Sequence, residues 1–202
     1  MTPLVILIHG FNVWDGGRAT VGKLRPFFAD MGVPYVMVNY GHFGLLDTRF
    51  KNMKIARQVA TAVQNAKLGG HQVIVAAHSN GCAIAHLAGR EFGAKIDLAV
   101  YINPALDPRI VPPAGIKSLH VWHSPSDAPV KWAKWLPAAN ARPWGEMGAT
   151  GYQGNDTRVR NFNKETDYEV TSKAHSDMFD IERIGYFGAR VATQSVSSLY
   201  TQ

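Results

Sequence analysis

Five short segments of this 202-residue chain read as strands: Leu4–Ile8, Tyr35–Val38, Gln72–Ala77, Leu98–Ile102 and Ser118–Trp122. Most of them are apolar on consecutive rather than alternate positions. A strand with one wet face alternates apolar and polar residues, so a continuous apolar run marks a strand covered on both faces. The cover has to come from helices, and the segments between have helical spacing. In Lys51–Lys67, Ile55, Val59, Ala62, Val63 and Ala66 share a face, and Leu68-Gly69-Gly70 ends it because glycine tolerates a left-handed stop. Ser79–Phe92 reads as a second helix with Ile84, Leu87 and Ala88 inward. Strand and helix in alternation imply a parallel sheet with right-handed crossovers. With 46% hydrophobic residues the length fits one domain, residues 1–202, around one such sheet.

Two further helices are readable. Thr20–Met31 carries Val21, Leu24, Phe27 and Phe28 at helical spacing, but Pro26 sits inside it, so the helix either starts near Pro26 or kinks there. Ile181–Tyr200 reads as a closing helix with Ile184, Phe187, Val191 and Leu199 as its contacts. The stretch Pro137–Lys173 breaks the alternation. It is rich in Gly, Asn, Asp and Thr, and within it Arg158–Phe162 reads as a sixth strand.

Composition excludes several classes. The net charge of +6 is concentrated in the N-terminal half, around Arg49, Lys51, Lys54 and Arg57. No zinc-ligand spacing, RNA-binding signature or long basic run accompanies it, so the reading is a solvated helix face and no nucleic-acid partner. The one cysteine, Cys82, allows no internal disulfide and fits a buried thiol in a reducing compartment. Leu4–Ile8 is too short to span a membrane and lacks the basic flank of a signal peptide. The expectation is a soluble cytoplasmic protein without a transmembrane segment, metal or cofactor.

The chemistry is concentrated at Ala77-His78-Ser79-Asn80-Gly81, between a strand and a helix. A sharp strand-to-helix turn strains its central residue and exposes the serine oxygen at a helix N-terminus, where free N–H groups favour developing negative charge. Small residues two before and two after let strand and helix approach. The plain alternative is Ser79 as an ordinary N-cap. His9-Gly10-Phe11-Asn12 directly follows the first strand. A tetrahedral oxyanion needs two donors; the residue after the serine supplies one, and a glycine-bearing loop after an adjacent strand supplies the other. The expected donors are the Asn80 and Phe11 N–H groups.

Strand-His-Gly-Phe followed by strand-Ala-His-Ser-Asn-Gly-helix resembles the α/β-hydrolase superfamily, in particular its small lidless members such as the minimal bacterial lipases. The resemblance implies a minimal α/β-hydrolase fold: a mostly parallel sheet of about six strands flanked by helices, without a cap domain. It also implies a chain order of Ser, Asp or Glu, then His. Of the eight histidines, His175 sits between the irregular stretch and the closing helix, where the superfamily places its base. His78 flanks the serine too closely to face it, and His120 reads as a packed strand residue. For the acid, Asp127 follows the strand ending near His123, in surroundings like those of the family acid; Asp107, after the preceding strand, is the alternative.

The resemblance thus implies acyl transfer to water, with Ser79 as nucleophile, His175 as base and Asp127 as its partner. Phe11, Trp14, Phe43, Trp144, Met147 and Tyr152 lie on segments that should emerge at the carboxyl ends of the strands and contact an apolar part of the substrate. The substrate reading is a small-molecule or surface-bound carboxylic ester. An amidase or peptidase on the same residues, and a non-catalytic binding module on the same fold, are the competing readings.

Overall fold

In the computed structural model, which describes residues 2–11, 13–42, 48–133, 144–166 and 175–201, the strand segments pair into one six-stranded sheet. The strands are β1 (Pro3–Ile8), β2 (Tyr35–Val38), β3 (Gln72–His78), β4 (Ile96–Ile102), β5 (Ile116–His123) and β6 (Val159–Asn163). They lie in the order β2-β1-β3-β4-β5-β6, and every neighbouring pair is parallel. The helices are α1 (Arg25–Asp30), α2 (Thr48–Leu68), α3 (Asn80–Phe92), the short α4 (Ala128–Ala133) and α5 (Met147–Thr150), and α6 (Ile181–Tyr200). Among the described residues no helix is long and apolar enough to cross a membrane.

The consecutive apolar positions have the expected cause. Ile6, Ile8, Val73, Val75 and Ala77 face one side of the sheet and pack with Val59, Val63 and Ile84 from α2 and α3. Their neighbours Val5, Leu7, Ile74 and Ala76 face the other side, with Phe28, Phe187 and Val191 from α1 and α6. All seven residues of β4 are buried. Burying each large aliphatic side chain stabilises by about 1.5–3 kcal/mol, and here both faces of the central strands contribute.

At Pro26 the structure takes the first of the two readings. A 3-10 turn, Val21–Leu24, leads into α1, and Pro26 occupies its first turn, where a missing N–H interrupts no helical hydrogen bond. The sixth strand forms, at the sheet edge, two of its five positions exposed.

The strand order places the site. From β1 the chain goes outward to β2, then crosses back over β1 to β3. The loops leaving the carboxyl ends of β1 and β3 therefore diverge, and a crevice opens between them. His9-Gly10-Phe11 and Ser79 stand at those two ends.

Candidate active site

Ser79 is one of two non-glycine residues with positive φ among those described, at φ 56° and ψ −123°. That backbone costs of order 1–3 kcal/mol and persists only where its surroundings impose it. They do so by close approach. A β-carbon on Gly81 would stand 2.5 Å from the His9 carbonyl oxygen and 2.6 Å from that of Ile8, so only glycine lets α3 start against the end of β1. A β-carbon on Gly10 would stand 3.1 Å from Ser79 Cβ, so the β1 loop lies directly against the serine. The Ser79 N–H donates to the Ile102 carbonyl at 3.0 Å. Its hydroxyl makes no capping bond to α3 and is left for another partner.

That partner is His175. Its Nε2 lies 2.9 Å from Ser79 Oγ, and its Nδ1 lies 2.9 and 3.0 Å from the two oxygens of Asp127. Asp127 is fully buried at the turn between β5 and α4. Burial would raise its pKa, but hydrogen bonds from His175 and the Asn103 amide, with the Val130 N–H, hold the carboxyl below the usual carboxylate range. A carboxylate at Asp127 fixes the proton of His175 on Nδ1, which leaves Nε2 to accept from the Ser79 hydroxyl. Asp107 is not part of this chain. It is exposed and accepts the Arg109 N–H in a local turn.

No family model matches the sequence, and no curated protein is detectably similar to it. The backbone, however, superposes on several solved structures. Alpha/beta hydrolase domain-containing protein 10 from mouse aligns with a TM-score of 0.65, over 98% of this chain and 91% of its own, at 12% identity. An esterase of Pyrococcus furiosus aligns at 0.61, over 95% and 80%, at 13% identity. An esterase of Butyrivibrio proteoclasticus with ferulic acid bound aligns at 0.61, over 96% and 90%, at 14% identity. The chain has the α/β-hydrolase fold.

Within this α/β-hydrolase fold, residues far apart in sequence hold the loops of the site. Asn103, at the end of β4 with φ 44°, donates its amide to Asp127 Oδ2 at 2.5 Å. Gly148 leaves room for that carboxylate, since a β-carbon there would stand 3.0 Å from Asp127 Oδ2. Glu165 accepts the Ser124 hydroxyl at 2.5 Å and the Ser126 N–H at 2.6 Å, bracing the turn before Asp127. His78 turns away from the serine, and its Nε2 donates to the His175 carbonyl at 2.9 Å. Its ring is neutral, pushed down to about 3, mainly by burial and then by the neighbouring His175. Beyond His175, the buried Asp177 meets Lys164 at 3.4 Å and Arg183 at 2.7 Å. Burial pushes the Lys164 ammonium down to about 8. None of these partners was identifiable from a motif; Asn103, an asparagine ending a strand, had the nearest thing to a signal, because asparagine tolerates positive φ.

A cleft of about 350 Å³ opens beside the serine, walled by Val13, Thr20, Ala105, Val130, Trp144 and His175. Gly10, Phe11 and Asn80 also line it. Among the described residues the Phe11 N–H has no hydrogen-bond partner, and the Asn80 N–H begins α3, where no intrahelical acceptor is available. The Asn80 side chain is held aside by a reciprocal amide pair with Asn52, at 2.9 and 3.0 Å.

Three of the expected substrate contacts are corrected. Met147 is fully buried in the core on the α2–α3 side of the sheet. Tyr152 packs in the same core, with its N–H donating to Asn161 Oδ1, because the α5 segment folds back onto β5 and β6. Trp14 is 82% exposed and stacks on His42 at 3.7 Å, while its neighbour Val13 faces the cleft. Trp144 does line the cleft. Phe43 lies outside the described residues, as do 137–143 and 167–173 of the irregular stretch. His120 is buried and paired with the Ser198 hydroxyl at 3.3 Å, away from the serine. Among the described residues no three His, Cys, Asp or Glu side chains gather as a metal site.

Proposed function

We propose that the protein is a serine hydrolase that cleaves a carboxylic ester through an acyl-enzyme. The supporting observation is the continuous hydrogen-bonded chain from Asp127 through His175 to Ser79, with the serine oxygen facing a partly apolar cleft. Ser79 Oγ attacks the ester carbonyl carbon while its proton passes to His175 Nε2. Asp127 holds the imidazole and stabilises its positive charge without taking the proton. The oxyanion forms between the Phe11 and Asn80 N–H groups and the positive end of α3. The intermediate collapses, the alkoxide leaves with the proton from His175, and the acyl group remains on Ser79. Water, deprotonated by His175, repeats the sequence and releases the acid.

Positioned general-base transfer contributes about 10²–10⁴-fold, and each oxyanion donor about 10²–10³-fold. Ser79→Ala should therefore lose about 10⁴-fold or more in p-nitrophenyl ester hydrolysis while keeping the wild-type melting temperature within a few degrees. A Ser79→Ala protein with a large fraction of wild-type turnover would refute the assignment. An ester and an amide of the same acyl group, assayed side by side, separate the esterase from an amidase.

A further inference from the structure

Tyr40 lies just beyond β2 and does not line the cleft, yet it touches the loop that carries one proposed oxyanion donor. Its hydroxyl lies 2.8 Å from the Gly10 carbonyl oxygen and also within hydrogen-bonding distance of the His9 carbonyl. The ring stacks on His9 with centroids 3.8 Å apart. His9 Nδ1 reaches the same Gly10 oxygen at 2.7 Å. Burial raises the Tyr40 phenol far above its ordinary value, so it is a donor at every working pH. Burial also lowers His9, which is then neutral and donates from Nδ1.

The consequence follows from peptide geometry. The Gly10 carbonyl and the Phe11 N–H belong to one planar trans peptide and point in opposite directions. The Tyr40 hydroxyl, whose one proton is shared between the His9 and Gly10 carbonyls, and the His9 Nδ1–H draw the Gly10 oxygen away from the cleft, on the side of Tyr40 and His9. The Phe11 N–H of that peptide is thereby turned the other way, toward the space beside Ser79, where Gly10 and Phe11 form the wall. The Gly10 carbonyl is not left unsatisfied, because His9 Nδ1 donates to it at 2.7 Å and the Tyr40 hydroxyl lies within reach.

We infer that Tyr40 is a positioning residue whose hydroxyl, through the Gly10 carbonyl, aims the Phe11 N–H at the oxyanion. This rests on the serine-hydrolase reading. It assigns Tyr40 a part in turnover that neither cleft contact nor core packing would give it. Without the hydroxyl the peptide is held by His9 alone and can rotate, and a donor turned partly away loses much of its stabilisation of the tetrahedral intermediate while ground-state binding changes little.

The experiment compares wild type with Tyr40→Phe, which keeps the stacking ring and removes one oxygen. Three quantities are measured: the kcat and KM for p-nitrophenyl acetate, the inhibition constant of an alkyl boronic acid that adds to the serine as a tetrahedral anion, and the melting temperature. The expected result is a fall in kcat of about 10–100-fold with KM changed less than about threefold, and boronate inhibition weakened by the same factor as kcat. An unchanged kcat and boronate affinity, whatever the melting temperature, overturns the inference and leaves the hydrolase reading intact. Wild-type protein that neither turns over esters nor binds the boronate overturns both. Should Tyr40→Phe fail to fold, Tyr40→Met, which also lacks the donor, is read by the same criteria.

Discussion

The turn carrying Ser79 and the loops carrying Asp127 and His175 are held by different kinds of contact. Around Ser79 the constraints are steric and come from backbone: Gly81 against two backbone carbonyls of β1, Gly10 against Ser79 Cβ, and apolar strands buried on both faces. Around Asp127 and His175 they are polar and distant in sequence: Asn103 and His175 on Asp127, His78 on the His175 carbonyl, Glu165 on the Ser124 turn, and Lys164 and Arg183 on Asp177. Ser79 is thus shaped by backbone packing, while Asp127 and His175 are held by buried hydrogen bonds and ion pairs. Steric constraints are hard to weaken by titration. Polar ones are not, and a buried polar group that loses its partner becomes a liability.

The sharpest way to break the polar side is at Asp127. Asp127→Asn keeps the shape but leaves His175 without the anion that fixes its tautomer, and kcat should fall about 10³–10⁴-fold. Asp107→Asn, in an exposed turn, should leave kcat within about twofold of wild type. Ester kinetics on the two variants decide between them, and the opposite ranking would move the acid to Asp107.

The next effect concerns stability. Asp177→Ala removes from the fully buried Lys164 the carboxylate it meets at 3.4 Å. A loss of about 3 kcal/mol in urea unfolding is expected, together with reduced activity from a loosened His175 segment. A neutral effect on both would show that the buried ion cluster does not hold the loop.

The contrast is also sharpened through pH. Burial pushes His78 down to about 3, and His86 and His120 down to about 4. The unfolded chain takes up these protons near pH 6.5, so between about 6.5 and 4 it binds more protons than the folded protein. Stability is then full above pH 6.5 and falls as pH drops through that window. Asp127 and Glu165, held below the carboxylate range despite burial, add a loss of the same sign at lower pH. The urea midpoint should decline from pH 7 to 4, less steeply in His120→Leu; a flat midpoint would contradict the neutral buried histidines.

The same contrast explains what could be read from the sequence. Strand runs, crossover helices and the Ser79 turn were legible because each leaves its signature in residues adjacent in the chain, such as Ala77 to Gly81. Ser79, His175 and Asp127 are brought together as the resemblance implied. Trp14, Met147 and Tyr152 were misread because their segments could be placed at the correct end of the sheet, but not the direction of each side chain within an irregular loop. Asn103, Tyr40, Lys164 and Glu165 carried no motif for a related reason. Each acts on a partner 13 or more residues away, at 24, 30, 13 and 41 positions respectively, through geometry that exists only after the sheet has formed.

Reaction with a fluorophosphonate tests most directly whether Ser79 is an activated nucleophile. Intact-mass and peptide mass spectrometry on folded wild type should find one phosphonyl group per chain, on Ser79, and none on Ser79→Ala. Folded wild type that stays unlabelled, or a label on another residue that persists in Ser79→Ala, would contradict it.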